Sequence, residues 1–255
     1  MTTLAIIGGT GLTRMDGLKV TRREMVKTPY GAPSCPIVFG DMDGQEVAFL
    51  PRHGTTHRIP PHRVNYCANI WALHSVGIRH IIAVGAVGGI DSQCTVGTIV
   101  VPDQIIDYTN GRENTFFDGG EEPVEHIDFS YPYDTDLRNL LIEGASSVSG
   151  IKTVDSGTYG ATQGPRFDTA AEVRRMARDG CTIAGMTGMP EASLAAELQV
   201  AYACVAVVVN PAAGTQDQGI NAQSLSAAVV DGMDKARQVL LATMHSPGLS
   251  KVVSK

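Results

Sequence analysis

Several features that mark nucleic-acid-binding, membrane or secreted proteins are missing from this 255-residue sequence. Its formal net charge is −6 and Lys and Arg are scattered, so no basic stripe favours nucleic acid or an anionic membrane. The longest apolar run, residues 200–209, is about half as long as a membrane-spanning helix must be. The first residues carry neither a basic region nor a long apolar segment, so we expect no secretion signal.

Cysteine is scarce, and its spacing matches neither a zinc site nor a disulfide framework. The five cysteines stand at positions 35, 67, 94, 181 and 204. An odd number of cysteines within predicted strands and helices is typical of reduced, buried thiols in the cytosol. We therefore expect a cytoplasmic protein without a metal site.

Strand-like and helix-like segments alternate along the chain, and the 43% of hydrophobic residues are enough for a buried core. Length alone allows one large or two small domains. The uninterrupted alternation predicts a single α/β domain over residues 1–255, with a mainly parallel sheet covered by helices on both faces. The predicted strands are residues 4–7, 36–39, 46–50, 80–84, 97–101, 152–154, 182–184 and 202–209, and the predicted helices are residues 64–76, 134–147, 170–178, 192–198 and 222–243.

Two segments near the amino terminus have the chemistry of a phosphate site. Residues 6–12 form a strand that leads into a glycine-rich turn, where backbone amides and the Thr10 hydroxyl can surround a phosphate. Arg14 stands where a dinucleotide-binding motif has its third glycine, so the turn does not match that motif. Further along, Arg52 can hold a phosphate through two parallel hydrogen bonds, and His53 can donate a third. A plain tight turn, a solvated arginine and a capping histidine are the alternatives.

A loop and a helix start lie together at residues 164–172. Phe167 follows Gly-Pro-Arg, a loop sequence that can present the ring to a planar base, and core filling is an equal alternative. Thr169 and Glu172 have the spacing of a capping box, which predicts that a helix begins there. Asp168 comes just before the box, and a capping role at the helix start is the expectation for it.

Further polar groups follow along the chain. Pro190 and Glu191 have the pattern of a first helical turn, and Met186 and Thr187 precede it, where backbone amides point outward. The long apolar run ends at Asn210, whose amide offers both a donor and an acceptor, as the O6/N7 edge of a purine requires. Capping of the following loop is the structural alternative for this asparagine.

In number and order these motifs resemble those of the trimeric purine nucleoside phosphorylase family, and within it the methylthioadenosine phosphorylase branch. The similarity covers nearly the whole chain, from Ile6 to the region of Met244. The motifs that carry it are Gly-Gly-Thr-Gly-Leu at 8–12, Thr-Pro-Tyr-Gly at 28–31, Arg-His-Gly at 52–54, Val-Asn-Tyr at 64–66, Ala-Asn-Ile-Trp-Ala-Leu at 68–73, Gly-Pro-Arg-Phe at 164–167 and Met-Thr-Gly-Met-Pro-Glu at 186–191.

The resemblance implies a single α/β domain around a twisted, partly barrel-like mixed sheet flanked by helices, assembled as a homotrimer. It also implies phosphate-driven cleavage of a nucleoside's glycosidic bond, which releases the base and a sugar 1-phosphate. The family needs neither a metal nor an organic cofactor for this reaction. The expected partners are a nucleoside and phosphate, not nucleic acid or a membrane.

The family's site residues can be carried onto the matching positions of this chain. Met186 would hold the sugar hydroxyls, and Phe167 would pack beside the base. His126 resembles a residue that one subunit lends to its neighbour's site, and it lies in the aperiodic segment 110–132. A segment that long without secondary structure is usually functional or lies at an interface. Phosphate would be bound by Thr10, Arg52, His53, Thr187 and the backbone amide of Ala86.

The sequence departs from the methylthioadenosine branch at three places. That branch has Thr-Asp-Tyr-Asp after the buried strand, whereas this chain has Val-Asn-Pro-Ala, and Asn210 matches the asparagine of phosphorylases that act on 6-oxopurines. Gly85 stands where a threonine hydroxyl would help to bind phosphate. Residues 211–241 contain no histidine to meet a 5′-hydroxyl, and Ala222 and Leu225 at helical spacing predict an apolar 5′ pocket instead.

We therefore expect a methylthioribose pocket joined to a hypoxanthine pocket, with S-methyl-5′-thioinosine as the substrate. In catalysis, Asn210 would stabilise the leaving base, and His53 would act on the attacking phosphate. Asp168 is a further partner for N1–H if it does not cap the helix. Three alternatives stay open, namely a methylthioadenosine phosphorylase, an inosine/guanosine phosphorylase and, in a different class, a non-catalytic nucleoside-binding sensor.

Overall fold

The computed structural model describes residues 3–119, 123–216, 219 and 221–254, in which eleven strands form one open, mixed sheet. The strands are β1 (Leu4–Gly8), β2 (Lys19–Glu24), β3 (Ile37–Met42), β4 (Gln45–Pro51), β5 (His80–Gly89), β6 (Ile99–Val100), β7 (Gln104–Asp107), β8 (Thr153–Val154), β9 (Thr158–Ala161), β10 (Cys181–Gly185) and β11 (Ala201–Pro211). The α-helices are α1 (Tyr66–Ser75), α2 (Thr135–Ser147), α3 (Ala170–Arg178), α4 (Glu191–Glu197), α5 (Ala222–Met244) and α6 (Leu249–Val253).

The sheet separates two apolar cores, because successive side chains of a strand point to opposite faces. Helices α1 and α4 contribute to the first core, and α2 and α5 contribute to the second. A strand that is buried on both faces reads as a continuous apolar run, as β11 does. Its residues Tyr202, Cys204, Ala206 and Val208 pack into the first core, and Ala203, Val205, Val207 and Val209 pack into the second.

Strand β5 is the branch point of the sheet. On one side its residues 80–83 pair in parallel with β1, whereas Gly88 and Gly89 pair in antiparallel fashion with β10. On the other side β11 runs parallel to β5 along its whole length. In the described part of the chain, residues 84–87 pair with neither β1 nor β10, so the sheet opens beside them. Ligands of α/β sheets bind at such openings, outside the carboxyl ends of parallel strands.

The α/β fold and the mainly parallel, mixed sheet predicted from the sequence are confirmed, and the sheet stays open instead of closing into a barrel. Each predicted strand and helix overlaps an observed one. The sequence pattern does not predict β2, β7, β9 or α6. Every side chain of β2 is exposed, so it has no apolar face to recognise, and its pairing with β3 holds it at the sheet edge.

All five cysteines are buried and free, as predicted. No helix in the described ranges is both long enough and apolar enough to cross a membrane. The same ranges contain no group of three or more His, Cys, Asp or Glu side chains arranged to hold a metal ion.

Candidate active site

A cavity of about 390 Å³ lies at the opening in the sheet, beside the carboxyl ends of β1, β5 and β11. Pockets of this size enclose small organic ligands. The sheet topology thus brings together site residues that are far apart in the sequence. Ten of the predicted site residues line the cavity, namely Thr10, Arg52, His53, Ala86, Phe167, Asp168, Met186, Thr187, Asn210 and Leu225.

Two predicted site residues do not line this cavity. Ala222 is the exposed first residue of α5, and the residues of α5 that line the cavity are Leu225 and Val229. Residues four apart share a helix face, so the apolar wall uses Val229 in place of Ala222, which corrects the prediction. His126 is exposed and does not line this chain's cavity.

Arg52 is buried beneath the cavity, and its forked edge faces a carboxylate. Nε and Nη2 donate to the two carboxylate oxygens of Glu191 at 2.6 and 2.7 Å, and the Tyr202 hydroxyl donates to Oε1 at 2.9 Å. Nη1 donates to the carbonyl oxygen of Val84 at 3.0 Å. Glu191 therefore occupies the edge formed by Nε and Nη2. One N–H of Nη1 and one of Nη2 remain for a ligand.

Glu191 is a site residue that the sequence pattern does not reveal. It lies in the first turn of α4, as predicted, but its side chain is completely buried. Burial by itself would lower the pKa of Arg52, but the charge and hydrogen bonds of Glu191 outweigh burial and raise that pKa above its ordinary value. The available signal is a carboxylate on the same helix face as the buried residues Leu194 and Ala195, three and four positions later. A buried carboxylate requires a cationic partner.

His53 is neutral, and the backbone fixes its tautomer. Its Nδ1 lies 2.8 Å from the carbonyl oxygen of Ile59, which can only accept, so Nδ1 carries the proton. Burial, followed by the charge of Arg52, lowers the pKa of His53 to about 4. Nε2 is left as an acceptor.

A second histidine, His57, lies over the turn after β1. Its Nε2 is 3.0 Å from the hydroxyl oxygen of Thr10, and its ring centroid is 4.7 Å from that of His53. It also lines the cavity. Its backbone φ of 51° is a left-handed conformation that is uncommon outside glycine. The sequence shows this histidine four residues after His53 but does not show that the chain folds it back over the glycine-rich turn.

Asn210 reaches the cavity because the ladder between β11 and β5 shifts register just before it. Val208 pairs with Val87 and Asn210 pairs with Gly88, so Val209 is an extra, bulged residue. Val209 and Asn210 both line the cavity.

The amide of Asn210 has a fixed orientation. Its Nδ2 donates to the carbonyl oxygen of Pro211 at 2.7 Å. A flipped amide would place two acceptors against each other, so Oδ1 and the second N–H of Nδ2 have set positions. The buried side chain thus offers one acceptor and one donor to a ligand.

Asp168 lines the cavity and does not cap α3. Thr169 is the N-cap, and it exchanges hydrogen bonds with Glu172, which confirms the predicted capping box. Asp168 instead accepts from the Thr162 hydroxyl at 3.3 Å, which corrects its expected role at the helix start. Burial, followed by the charge of Glu172, raises the pKa of Asp168 above its ordinary value. The neighbouring Phe167 is 48% exposed, so core filling does not account for it.

Met186 and Thr187 lie on the loop between β10 and α4, across the cavity wall from β5. A Cβ placed at Gly85 would lie 3.8 Å from the hydroxyl oxygen of Thr187, which is an ordinary contact. A Cβ at position 85 would therefore fit sterically. Ala86 follows on β5 and also lines the cavity.

We predict that His53 makes the fold less stable in mild acid. Its pKa is about 4 in the folded protein and ~6.5 in an unfolded chain. Between these values the unfolded chain binds more protons, so the free energy of unfolding falls as the pH falls. The free energy of unfolding in urea is measured at pH 7 and at pH 5 for the parent and for His53→Asn. Its fall from pH 7 to pH 5 should be about 2 kcal/mol larger in the parent than in the variant. Equal losses for both proteins would contradict a neutral, buried His53.

The chain's similarity to known proteins agrees with this geometry. Its sequence matches the profile of the Phosphorylase superfamily over residues 3–245. A probable S-methyl-5′-thioinosine phosphorylase of Pseudomonas syringae pv. tomato is 53% identical over 94% of this chain and 97% of its own length. The 6-oxopurine nucleoside phosphorylase of Pyrococcus furiosus is 47% identical over 84% of this chain and 81% of its own. The structure of methylthioadenosine phosphorylase from Schistosoma mansoni in complex with adenine has a TM-score of 0.91 at 30% identity, and the match covers 100% of this chain and 96% of that one. The family match and these relatives span most of the chain, which therefore belongs to the Phosphorylase superfamily.

Proposed function

We propose that this protein is an S-methyl-5′-thioinosine phosphorylase, which uses inorganic phosphate to release hypoxanthine and form 5-methylthioribose 1-phosphate. One observation carries the proposal. The amide of Asn210, oriented by the Pro211 carbonyl, lies in the cavity where the adenine-directed branch of the family has a carboxylate. The names of relatives directed at methylthioinosine and at 6-oxopurine nucleosides support it.

In this proposal Asn210 binds the O6/N7 edge of the purine. Its free N–H donates to O6, where negative charge accumulates as the base leaves, and Oδ1 accepts from N7–H. Adenine presents the opposite order of donor and acceptor along this edge, and the Pro211 carbonyl opposes the amide flip that would match it. Asp168 lies in the same cavity and accepts from N1–H, a proton that hypoxanthine carries and adenine lacks.

Phosphate is bound by Thr10, Thr187, the amide of Ala86 and the two remaining N–H groups of Arg52. Because Nε2 of His53 is an acceptor, the protonated oxygen of HPO₄²⁻ faces it. A phosphate oxygen forms the bond to C1′ while the bond from C1′ to N9 breaks and its electron pair enters the purine. The proton that phosphate gives up balances the proton that the purine gains.

The sugar and its 5′ substituent bind against an apolar wall. Met186 contacts the ribose hydroxyls, Phe167 packs beside the base, and Leu225 and Val229 surround the 5′ end. A methylthio group buries its apolar surface there, whereas a hydroxyl would lose its bonds to water without finding a partner. The wall therefore favours methylthio substrates over inosine.

We also propose a cytoplasmic homotrimer that uses phosphate as co-substrate and needs no metal or organic cofactor. The aperiodic segment 110–132 supplies the subunit contact and His126. Two apolar side chains near this histidine, Val124 and Tyr131, are 60% and 85% exposed in the single chain. Exposed apolar residues grouped on one segment are typical of an interaction surface.

A methylthioadenosine phosphorylase is the second candidate, because the Schistosoma mansoni enzyme of that name has the same fold with a TM-score of 0.91. An inosine/guanosine phosphorylase and a non-catalytic nucleoside sensor are the remaining ones. The test compares kcat/KM for methylthioinosine, methylthioadenosine and inosine. Release of the base is monitored by its ultraviolet absorbance. We expect methylthioinosine to be the best substrate by a wide margin. Higher activity with methylthioadenosine would support the second candidate, and no phosphate-dependent release would support a sensor.

Replacing Asn210 by Asp or Ala should reduce methylthioinosine phosphorolysis about 100-fold or more, because one well-aimed donor contributes roughly 3 kcal/mol to transition-state binding. Asn69→Ala is the matched control. Asn69 is also buried, but it bonds to Ser34 and lies outside the cavity, so its loss should lower stability without changing substrate preference. If both Asn210 variants stayed within about threefold of the parent, or ~0.7 kcal/mol, Asn210 would not be the residue that recognises the base.

Replacing Leu225 by His should narrow the gap between methylthioinosine and inosine, because an imidazole can bond to a 5′-hydroxyl. One methyl-sized apolar contact contributes ~1–3 kcal/mol, so about 10- to 200-fold is the largest shift in the kcat/KM ratio to expect. Leu241→His, also on α5 but packed against the second core away from the cavity, is the control and should leave the ratio unchanged. An unmutated protein that cleaves both substrates equally well would rule out the apolar 5′ pocket.

Mixing His126→Ala chains with Asn210→Ala chains should restore activity if His126 acts across a subunit boundary. Random assembly into rings gives about a quarter of the sites an intact Asn210 and an intact His126 from the neighbour. Co-expressed chains should therefore exceed the sum of the separate variants, measured at equal concentrations. Activity no higher than that sum, or a fully active monomer, would contradict the shared site.

A further inference from the structure

Arg112 joins the start of the aperiodic segment to two loops behind the cavity. It lies two residues after the segment begins, and it is partly buried. Its side chain donates to six acceptors. Nε bonds to the side-chain oxygen of Gln163 at 3.1 Å, Nη1 to the Tyr66 hydroxyl at 3.2 Å and the Met189 carbonyl at 2.6 Å, and Nη2 to the carbonyls of Thr162, Gln163 and Met186 at 3.2, 2.9 and 3.0 Å.

None of these six acceptors is a carboxylate. Four are backbone carbonyl oxygens, and the other two are neutral side-chain oxygens. A guanidinium has five N–H donors in one plane, so these acceptors use its whole donor edge. Hydrogen bonds from a charged donor are also stronger than those between neutral groups. The guanidinium of Arg112 is therefore fully hydrogen-bonded to neutral groups and has no donor left to bind an anion.

The bonded carbonyls belong to the two loops that form the nucleoside side of the cavity. One loop, residues 162–168, carries the base contacts Phe167 and Asp168. The other, residues 186–190, carries the sugar contact Met186. The same guanidinium thus bonds to both loops on the side away from the ligand.

The far side of this guanidinium rests on the protein core. The ring centroid of Tyr66, in α1, lies 5.4 Å from the guanidinium carbon of Arg112. Tyr66 is buried, and its own hydroxyl donates to the carbonyl oxygen of Pro61 at 3.0 Å. Arg112 therefore connects both loops to α1 through Tyr66.

We infer that Arg112 is a positioning residue, which sets the spacing of the two loops and thereby the grip on the nucleoside without touching it. This inference rests on the proposed function. Of the proposed phosphate contacts, Thr10, Arg52, His53 and Ala86 lie on the turn after β1, at the end of β4 and on β5, which Arg112 does not contact, and only Thr187 lies on a loop to which Arg112 bonds. Loss of Arg112 should therefore weaken nucleoside binding more than phosphate binding.

The test compares Arg112→Gln and Arg112→Lys with the parent in KM and kcat for methylthioinosine, in KM for phosphate, and in the urea unfolding midpoint. Lys keeps the charge, but its three donors radiate from one point and do not match the planar fork. We expect the nucleoside KM to rise about tenfold or more in the Gln variant and less in the Lys variant, with the phosphate KM within about threefold. If the Gln variant does not fold, the Lys variant alone decides.

Arg138→Gln is the matched control. Its Nε donates to the Pro102 carbonyl at 2.9 Å, and its Nη2 donates to the carbonyls of Val101 and Asp155 at 3.3 and 2.6 Å. Arg138 thus also joins loops through backbone carbonyls, but neither it nor its partners line the cavity. Its loss should lower the urea midpoint and leave the nucleoside KM unchanged.

If Arg112→Gln and Arg138→Gln both lowered the urea midpoint and both left the nucleoside KM unchanged, the positioning role would be overturned. A phosphate KM that rises as much as the nucleoside KM would overturn it as well. The unmutated protein is assayed first. If it releases no base from methylthioinosine, the proposed function is contradicted, whereas the inference about Arg112 is not. In that case the calorimetric Kd for methylthioinosine takes the place of KM, and the same comparison of Arg112 with Arg138 decides the inference.

Discussion

The buried ion pair between Arg52 and Glu191 is the interaction on which the rest of the site depends. It joins the end of β4 to the start of α4, and the Tyr202 hydroxyl connects it to β11. Removing one member of a buried pair typically costs ~3–5 kcal/mol, because the other charge is left without a partner. Each residue therefore holds the other in place. Phosphate at this site would meet oriented N–H donors whose positive charge is already compensated.

Backbone carbonyls determine what the other polar side chains offer to a ligand. The Ile59 carbonyl keeps the proton of His53 on Nδ1, and the Pro211 carbonyl orients the amide of Asn210. Because a carbonyl oxygen only accepts, each bond decides which atom of the side chain remains free. Groups oriented in advance need little rearrangement when charge develops, which is why such sites stabilise transition states well.

The shape of the cavity comes from irregularities in the sheet. Strand β5 changes partner from β1 to β10, and its residues 85–88 line the opening. The bulge at Val209 turns Asn210 toward the same opening. Gly9 has to be glycine, because a Cβ there would lie 2.7 Å from the Val84 carbonyl oxygen. The site thus lies where regular pairing is interrupted, as is common for bulges beside active sites.

The sequence by itself determined the order of most strands and helices, the family and ten of the positions that line the cavity. Apolar periodicity, the capping box at Thr169 and the ordered motifs are local patterns, and these predictions depend on them. It did not predict β2, whose exposed side chains carry no apolar pattern. Only the tertiary structure decided that Glu191 occupies the fork of Arg52, that His53 donates from Nδ1 to the Ile59 carbonyl, and that Asp168 faces the cavity. The physical reason is that burial and hydrogen-bond partners decide these roles. Arg52 and Glu191 are 139 residues apart in the chain, and only the sheet topology brings them into contact.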